Sequence, residues 1–401
     1  MIFWDTGLPV SFYQLRMEQA FLLGVLKRRF GYGRFRSGQE EIVRTILERK
    51  DVLAVLPTGA GKSLCFQLPG LLLPGITLVV SPLISLIKDQ TEALRRLGIG
   101  AVALDSSMSR IIQAKNLRQV LSGEAKFLYV APERLASRDF RDFCQKVCIS
   151  MLVVDEAHCV SQWGRDFRPE YNRISEFVNI LVQRPVLAAF TATATKNVQK
   201  DILLRLCMPA AEVFVGDFAR PNLRFLVLRT GDKEGTMQLF LRRHKAETGI
   251  IYCATRKIVE KVTEFLRLQG WPALRYHAGL TPMERQRNQN VFLSGQGRIV
   301  VATNAFGLGI NKPDVRYVLH YNMPKDVESY YQEAGRAGRD GQAAECLLLY
   351  NPEDVELNRF LLAQNNPSGL TAEQDLERLK QMERYCRLDG GWQDYILHYF
   401  S

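Results

Sequence analysis

Leu56-Pro57-Thr58-Gly59-Ala60-Gly61-Lys62-Ser63 is the stretch on which the fold turns. Asp51-Val52-Leu53-Ala54-Val55-Leu56 before it reads as a buried strand, and Leu64-Cys65-Phe66-Gln67-Leu68 after it can open a helix. Strand, Gly-rich loop and helix in that order make the setting a phosphate-binding loop requires. Gly59 and Gly61 carry no side chain, so the backbone can curl until several N–H groups face one anion. The helix N-terminus adds partial positive charge at the same place. Lys62 is long enough to reach β- and γ-phosphates, and Ser63 offers a hydroxyl to Mg²⁺. The strict G-x-x-x-x-G-K-[ST] pattern is not met, because Leu56 holds the first glycine position. A glycine-rich turn that merely contains a lysine is the competing reading of these eight residues alone.

Composition narrows the class. A chain of 401 residues suggests two to three domains, and 47% apolar residues can fill large cores. The 24% charged content argues against global disorder. A formal net charge of +11 points toward a polyanionic partner without naming one. Eight cysteines are scattered with no C-x-x-C pair, and Cys65, Cys159, Cys253 and Cys346 lie in apolar runs, as reduced core cysteines do. Cys144 and Cys148 are four apart and could share a helix face, but no histidine lies close enough in sequence to complete a zinc site. No basic region followed by an apolar one opens the chain, so a signal peptide is not expected. The most apolar stretch, 68–87, is broken by Pro69, Gly70, Pro74, Gly75 and Pro82 and is not a membrane span. A cytoplasmic protein is expected.

From about residue 30 to 215, short apolar runs alternate with helical stretches. Candidate strands are 52–56, 76–80, 127–130, 151–155, 186–190 and 213–215. A second series follows at 223–228, 249–252, 273–276, 298–302, 316–320 and 345–349. This rhythm predicts α/β architecture: two tandem parallel-sheet domains joined near 216–221, with an active-site cleft between them. The expected domains are 17–217 and 218–351, preceded by an extension of unknown role at 1–16 and followed by a helical segment at 352–401.

The strand Met151-Leu152-Val153-Val154 runs into Asp155-Glu156-Ala157-His158. Carboxylates at the carboxyl end of a sheet strand stand where α/β folds place their chemistry. With a phosphate loop on another strand, Asp155 can hold Mg²⁺ through its water shell. Glu156 can then accept a proton from the water that attacks a γ-phosphate. An isolated Asp-Glu pair would be read as a helix cap, and it is the loop that tips the reading toward catalysis.

The run Asp155-Glu156-Ala157-His158-Cys159-Val160-Ser161-Gln162-Trp163-Gly164-Arg165-Asp166-Phe167-Arg168-Pro169-Glu170-Tyr171 resembles the DEAH box and aromatic-rich loop of RecQ-family DNA helicases. The T-G-x-G-K-S form of the phosphate loop fits helicase-like ATPases. The resemblance continues through Val80-Ser81-Pro82-Leu83-Ile84-Ser85-Leu86-Ile87-Lys88-Asp89-Gln90, Tyr129-Val130-Ala131-Pro132-Glu133-Arg134-Leu135 and Phe190-Thr191-Ala192-Thr193-Ala194-Thr195. In the second half it covers Ile251-Tyr252-Cys253-Ala254-Thr255-Arg256, Tyr276-His277-Ala278-Gly279-Leu280 and Ala302-Thr303-Asn304-Ala305-Phe306-Gly307-Leu308-Gly309-Ile310. It closes on Tyr331-Gln332-Glu333-Ala334-Gly335-Arg336-Ala337-Gly338-Arg339-Asp340-Gly341. The matches span roughly residues 30–350 in the family's order and spacing.

The resemblance implies two RecA-like domains, ATP and Mg²⁺ as cofactors, and 3′-to-5′ movement on single-stranded and partially duplex DNA in repair and recombination. It implies that Tyr32 stacks on adenine while Arg36 and Gln39 bond its edges, and that Thr58, Gly59, Ala60, Gly61, Lys62, Ser63 and Gln332 contact the nucleotide. Arg339 is expected as an arginine finger and Arg336 as a phosphate contact. Trp163, Phe167 and Arg168 are expected to couple DNA occupancy to hydrolysis, with aromatic faces stacking on unpaired bases. Ser81, Arg134, Thr193, Arg256, His277 and Thr303 fall in motifs that contact the tracking strand or relay between sites.

The pattern departs after residue 352. RecQ enzymes usually carry a helical platform with a four-cysteine zinc site there. Cys386 matches its first position, but Trp392 stands where the second cysteine would be. One thiol cannot hold a tetrahedral structural zinc, so no zinc is expected. A truncated piece and a zinc-less minimal member are both consistent with this, and in either case no winged helix is expected in this chain. An ATPase that remodels nucleoprotein without unwinding, a binding module that has lost hydrolysis, and an RNA helicase are the rival functions. RNA enzymes share most of these motifs but not the Ser161–Tyr171 loop. The sequence is compatible with a monomer, names no protein partner, and fits a nucleoid-associated location if the source is bacterial.

Overall fold

A computed structural model describes residues 18–105, 108–161, 168–306, 312–365 and 372–400. The expected extension at 1–16, Trp163, Phe167 and the stretch 307–310 lie outside the described residues. The chain divides into two compact units, Met1–Asp217 and Phe218–Ser401.

In the first unit seven strands form one sheet: β1 (Val52–Val55), β2 (Ile76–Val80), β3 (Ala101–Leu104), β4 (Phe127–Val130), β5 (Ile149–Val154), β6 (Val186–Thr191) and β7 (Glu212–Val215). Their order is β3-β4-β2-β5-β6-β1-β7, and every pairing is parallel. β1, β2, β4, β5 and β6 are buried along their whole length, as expected where helices cover both faces of a sheet. Asp51 pins the start of β1: its carboxylate accepts from the Leu187 N–H at 2.9 Å and from Arg184. Helices α1 (Gln39–Leu47), α2 (Lys62–Leu72) and α3 (Ile84–Arg96) lead toward or away from the strand ends that matter below.

The second unit holds six parallel strands: β8 (Leu223–Arg229), β9 (Gly249–Tyr252), β10 (Ala273–Tyr276), β11 (Ile299–Ala302), β12 (Tyr317–His320) and β13 (Ala344–Tyr350), in the order β10-β11-β9-β12-β13-β8. α4 (Arg256–Leu268) follows β9, and α5 (Val327–Ala334) follows β12. α6 (Glu353–Asn365), α7 (Ala372–Cys386) and α8 (Trp392–Phe400) end the unit. An aromatic cluster ties these last helices to α5. Phe400 stacks on Phe218 at 4.7 Å and lies 5.4 Å from Tyr331, while Tyr385 sits 5.1 Å from Tyr330.

All twelve expected strands are present. The sequence reading missed β3, whose Ala-Val-Ala-Leu run offers little β-branched surface. Cys144 and Cys148 do not share a helix face: Cys144 is buried at the last turn of its helix, and Cys148 is exposed beyond that helix, directly before β5. Among the described residues no helix is long and apolar enough to cross a membrane.

Candidate functional site

Parallel pairing brings the carboxyl ends of β2, β5, β6 and β1 side by side, and four motifs of the first unit leave from that edge. The loop after β1 begins its turn with the Ala60 N–H donating to Pro57 O at 3.1 Å, and α2 starts at Lys62. Gly59 and Gly61 hold φ of 88° and 84°, the left-handed region that glycine alone enters without strain. Lys62 Nζ donates to Leu56 O at 3.0 Å. The loop is braced from α1: Gln39 Nε2 donates to Ala60 O at 3.0 Å and Gly61 O at 3.2 Å, while its Oε1 accepts from the Arg36 N–H at 2.9 Å. Arg36 donates to Gly59 O, and Tyr32 is 57% exposed, its ring open to stacking. Thr58 is half-buried. Ser63 Oγ accepts from Gln90 Nε2 of α3 at 2.8 Å, and Gln90 in turn accepts from Gln67 at 2.9 Å. No role for Gln67 or Gln90 is readable from sequence, because the three meet only when α2 packs beside α3.

At the end of β5, Asp155 and Glu156 are both buried. Ser81 Oγ, at the end of β2, donates to Asp155 Oδ2 at 3.4 Å, and the Glu156 N–H caps Oδ1 at 3.0 Å. Tyr171 donates its hydroxyl to Asp155 O at 3.2 Å. Burial and the Glu156 charge push Asp155 up to about 7, against the pull of the Lys62 ammonium. Glu156 holds φ 50° and ψ 48°, a left-handed conformation rare outside glycine, and such strain concentrates at functional positions. Its Oε2 is buried without a hydrogen-bond partner among the described residues and lies 3.4 Å from His158 Nδ1. That nitrogen meets Thr191 Oγ1 at 3.0 Å, and Thr191 Oγ1 in turn bonds Thr193 O at 3.2 Å. The carboxylates are thereby linked to the end of β6, through a threonine the sequence reading did not single out.

Around this edge, Arg168 donates to Pro82 O at 2.9 Å, and Arg134 donates to Gln113 Oε1 at 2.7 Å. Each of these loops is thus tied to its own unit by a guanidinium.

The second unit gathers its own set. β10, β11 and β9 are neighbours, so His277, Thr303 and Arg256, which follow them, line one stretch of the sheet's carboxyl edge. His277 Nδ1 accepts from the Gly279 N–H at 3.2 Å, which leaves Nε2 as the donor to Glu260 Oε1 at 2.7 Å. Thr303 is buried, and Arg256 is exposed at the first turn of α4. Gln332 is buried in α5. Arg336 is buried just beyond α5 with its Nε lacking an acceptor among the described residues, and both Arg336 and Arg339 act electrostatically on Tyr252 at the end of β9. Burial and the Arg336 charge push Arg339 down to about 9. A guanidinium under such pressure is a strong attractor for an anion.

Comparison with known proteins places the chain in a family. A family model described as DEAD/DEAH box helicase matches residues 36–201, and one described as helicase conserved C-terminal domain matches 232–341. An ATP-dependent DNA helicase RecQ of Bacillus subtilis is 43% identical over 94% of this chain, and the match covers 64% of the relative. The chain therefore spans a little under two thirds of that protein's length. A putative ATP-dependent RNA helicase of Acanthamoeba polyphaga mimivirus is 40% identical over 94% of this chain and 69% of the relative. Among solved structures, S. cerevisiae Dbp5 bound to RNA and ADP BeF3 superposes with a TM-score of 0.68 at 18% identity, covering 87% of this chain and 92% of that one, which speaks for the fold alone. The chain belongs to the RecQ family of DEAD/DEAH-box helicases.

Proposed function

We propose that this chain is an ATP- and Mg²⁺-dependent motor that moves 3′ to 5′ along single-stranded DNA and separates duplexes in repair and recombination. The observation that carries the reading is the buried Asp155–Glu156 pair, with Glu156 Oε2 lacking a hydrogen-bond donor among the described residues, at the same sheet edge as the Lys62 loop. Residues 17–217 and 218–351 act as the two RecA-like domains, and 352–401 as the helical remnant of the RecQ platform.

Within the first unit, Gly59, Ala60, Gly61 and the start of α2 bind the phosphates through backbone N–H groups, and Thr58 borders them. Lys62 leaves Leu56 O for the β- and γ-phosphates. Tyr32, Arg36 and Gln39 hold the base side of the nucleotide. A serine hydroxyl and a buried carboxylate are hard oxygen donors that suit Mg²⁺, and two crowded carboxylates beside one ammonium are short of positive charge, so Ser63 and Asp155 would hold it. Bound there, the ion would neutralise charge developing on the phosphates. Glu156 takes the proton of the attacking water at Oε2, and His158 beside it is held by Thr191. Arg339 and Arg336 neutralise the γ-phosphoryl group in the transition state, and Gln332 contacts the nucleotide.

Ser81, Arg134, Arg168, Thr193, Arg256, His277 and Thr303 grip the DNA backbone or relay its presence, with Trp163 and Phe167 stacking on bases. A backbone grip makes binding salt-dependent and largely indifferent to sequence. The protein works in the cytoplasm, at the nucleoid if the source is bacterial. Duplexes carrying a 3′ or a 5′ tail, and DNA against RNA as stimulants of turnover, test the reading. Unwinding of the 3′-tailed DNA with ATP supports it, and preference for RNA or for the 5′ tail refutes it.

A further inference from the structure

We infer that Arg220 and Asn222 are positioning residues that clamp the turn carrying Arg336 and Arg339, an inference that rests on the proposed role of those two arginines. The end of α5 is a place where the backbone needs help. A helix ends with carbonyls that have no intrahelical donor, and here the chain tightens through short bonds from Arg336 N to Glu333 O and from Ala337 N to Ala334 O. Just beyond, Gly338 O accepts from the Gly341 N–H at 3.0 Å, and side-chain donors complete the turn. Arg220 supplies them: Nη2 donates to Ala337 O at 3.0 Å and Gly338 O at 3.2 Å, and Nη1 reaches Gly335 O at 3.5 Å. Asn222 Nδ2 donates to Gly338 O and Gln342 O, both at 2.9 Å, and its Oδ1 lies 3.5 Å from Arg220 Nε.

Gly338 completes the fit. Its φ of +56° and the Asn222 nitrogen, 2.5 Å from where a Cβ would stand, leave no room for a side chain. A planar fork with several donors can span successive carbonyls, whereas a lysine offers a single point.

The electrostatics give the clamp a purpose. The charges of Arg336 and Arg220 both disfavour the charge on Arg339, so both guanidiniums repel it. A turn loaded with like charges spreads unless its backbone is held. The restraint comes from residues only two and four positions beyond Phe218, where the second unit begins. The clamp keeps Arg336 and Arg339 preorganised for an anion, so that little is spent on reorganisation when the transition state forms.

The test is steady-state ATP hydrolysis by the full chain with saturating single-stranded DNA, alongside the affinity for a fluorescent ATP analogue and the thermal midpoint. Arg220→Ala is expected to lower kcat by about 100-fold, the scale of a small misplacement of a reacting group. Its nucleotide Kd should stay close to that of the unmodified chain, with a melting midpoint lowered by the lost backbone bonds but still above the assay temperature. Arg220→Lys keeps the charge but loses the fork, and should recover no more than about a tenth of the lost activity. Because Arg220 acts through Arg336 and Arg339, Arg220→Ala combined with Arg339→Ala should lose less activity than the two single losses multiplied together. Should Arg220→Ala melt below the assay temperature, Arg220→Lys carries the comparison under the same criteria.

A fall in kcat for Arg339→Ala with none for Arg220→Ala or Arg220→Lys overturns the clamp alone. Full additivity in the double variant overturns it too, since Arg220 would then act independently. Unchanged kcat in Arg339→Ala removes the finger reading and the clamp with it.

Discussion

Replacing Gly61 by alanine tests the phosphate loop through its backbone. Gly61 sits at φ +84°, and an added Cβ would stand 2.6 Å from Gln39 Nε2. A left-handed conformation costs a non-glycine residue about 1–3 kcal/mol. The Gln39 amide is the end of a flexible side chain and can swing away, but it then gives up its bonds to Ala60 O and Gly61 O. Each such bond is worth about 0.5–1.5 kcal/mol net. The total is roughly 2–6 kcal/mol. For a unit of this size that lowers the melting temperature by roughly 4–24 °C. Differential scanning calorimetry resolves the first unit's transition, and nucleotide titration reports the loop. The KM for ATP should rise along with the fall in stability. Gln39→Ala combined with Gly61→Ala relieves the contact while losing the bonds, so the two losses should be less than additive. Wild-type melting and wild-type KM in Gly61→Ala would refute the reasoning.

Three further outcomes follow from the geometry. Gln90→Ala removes the donor to Ser63 Oγ and should raise the Mg²⁺ concentration for half-maximal turnover about tenfold, with kcat at saturating Mg²⁺ little changed. Phe400→Ala opens the stack on Phe218 and Tyr331 and should destabilise the second unit by about 3–5 kcal/mol, seen as a lower midpoint in its calorimetric transition. Burial and the neighbouring Asp326 push Glu328 up to about 7 from 4.5. The folded state therefore binds the extra proton between those values, and this group's contribution to stability declines as pH rises through that window. Glu328→Gln should match the wild type near pH 4.5 and exceed it at pH 8 in melting temperature, and a difference independent of pH would contradict the assignment.

The fold was legible because its signals are local. The runs at 52–56 and 151–155 are continuous and apolar, as strands buried on both faces must be, and the loop from Leu56 to Ser63 announces its own geometry. β3 escaped because two alanines in four residues give an edge strand no distinctive pattern. Within the sites, motif residues were legible and their supports were not. Gln90 lies 27 residues from Ser63, and Arg220 lies 118 from Gly338, so nothing short of the folded chain pairs them. His158 and Thr191 were visible inside their motifs, yet the 3.0 Å bond between them depends on β5 and β6 being neighbours. Sequence periodicity reports which face an element buries, whereas these bonds depend on which elements end up adjacent.

The central claim is that Glu156 drives hydrolysis in a motor that answers to DNA. ATP turnover with and without single-stranded DNA, for the unmodified chain and for Glu156→Gln, addresses it most directly. The account predicts strong stimulation by DNA, and in Glu156→Gln a loss of about 10²–10⁴-fold in kcat with nucleotide binding retained. Turnover that ignores DNA, or that survives the substitution, would contradict it.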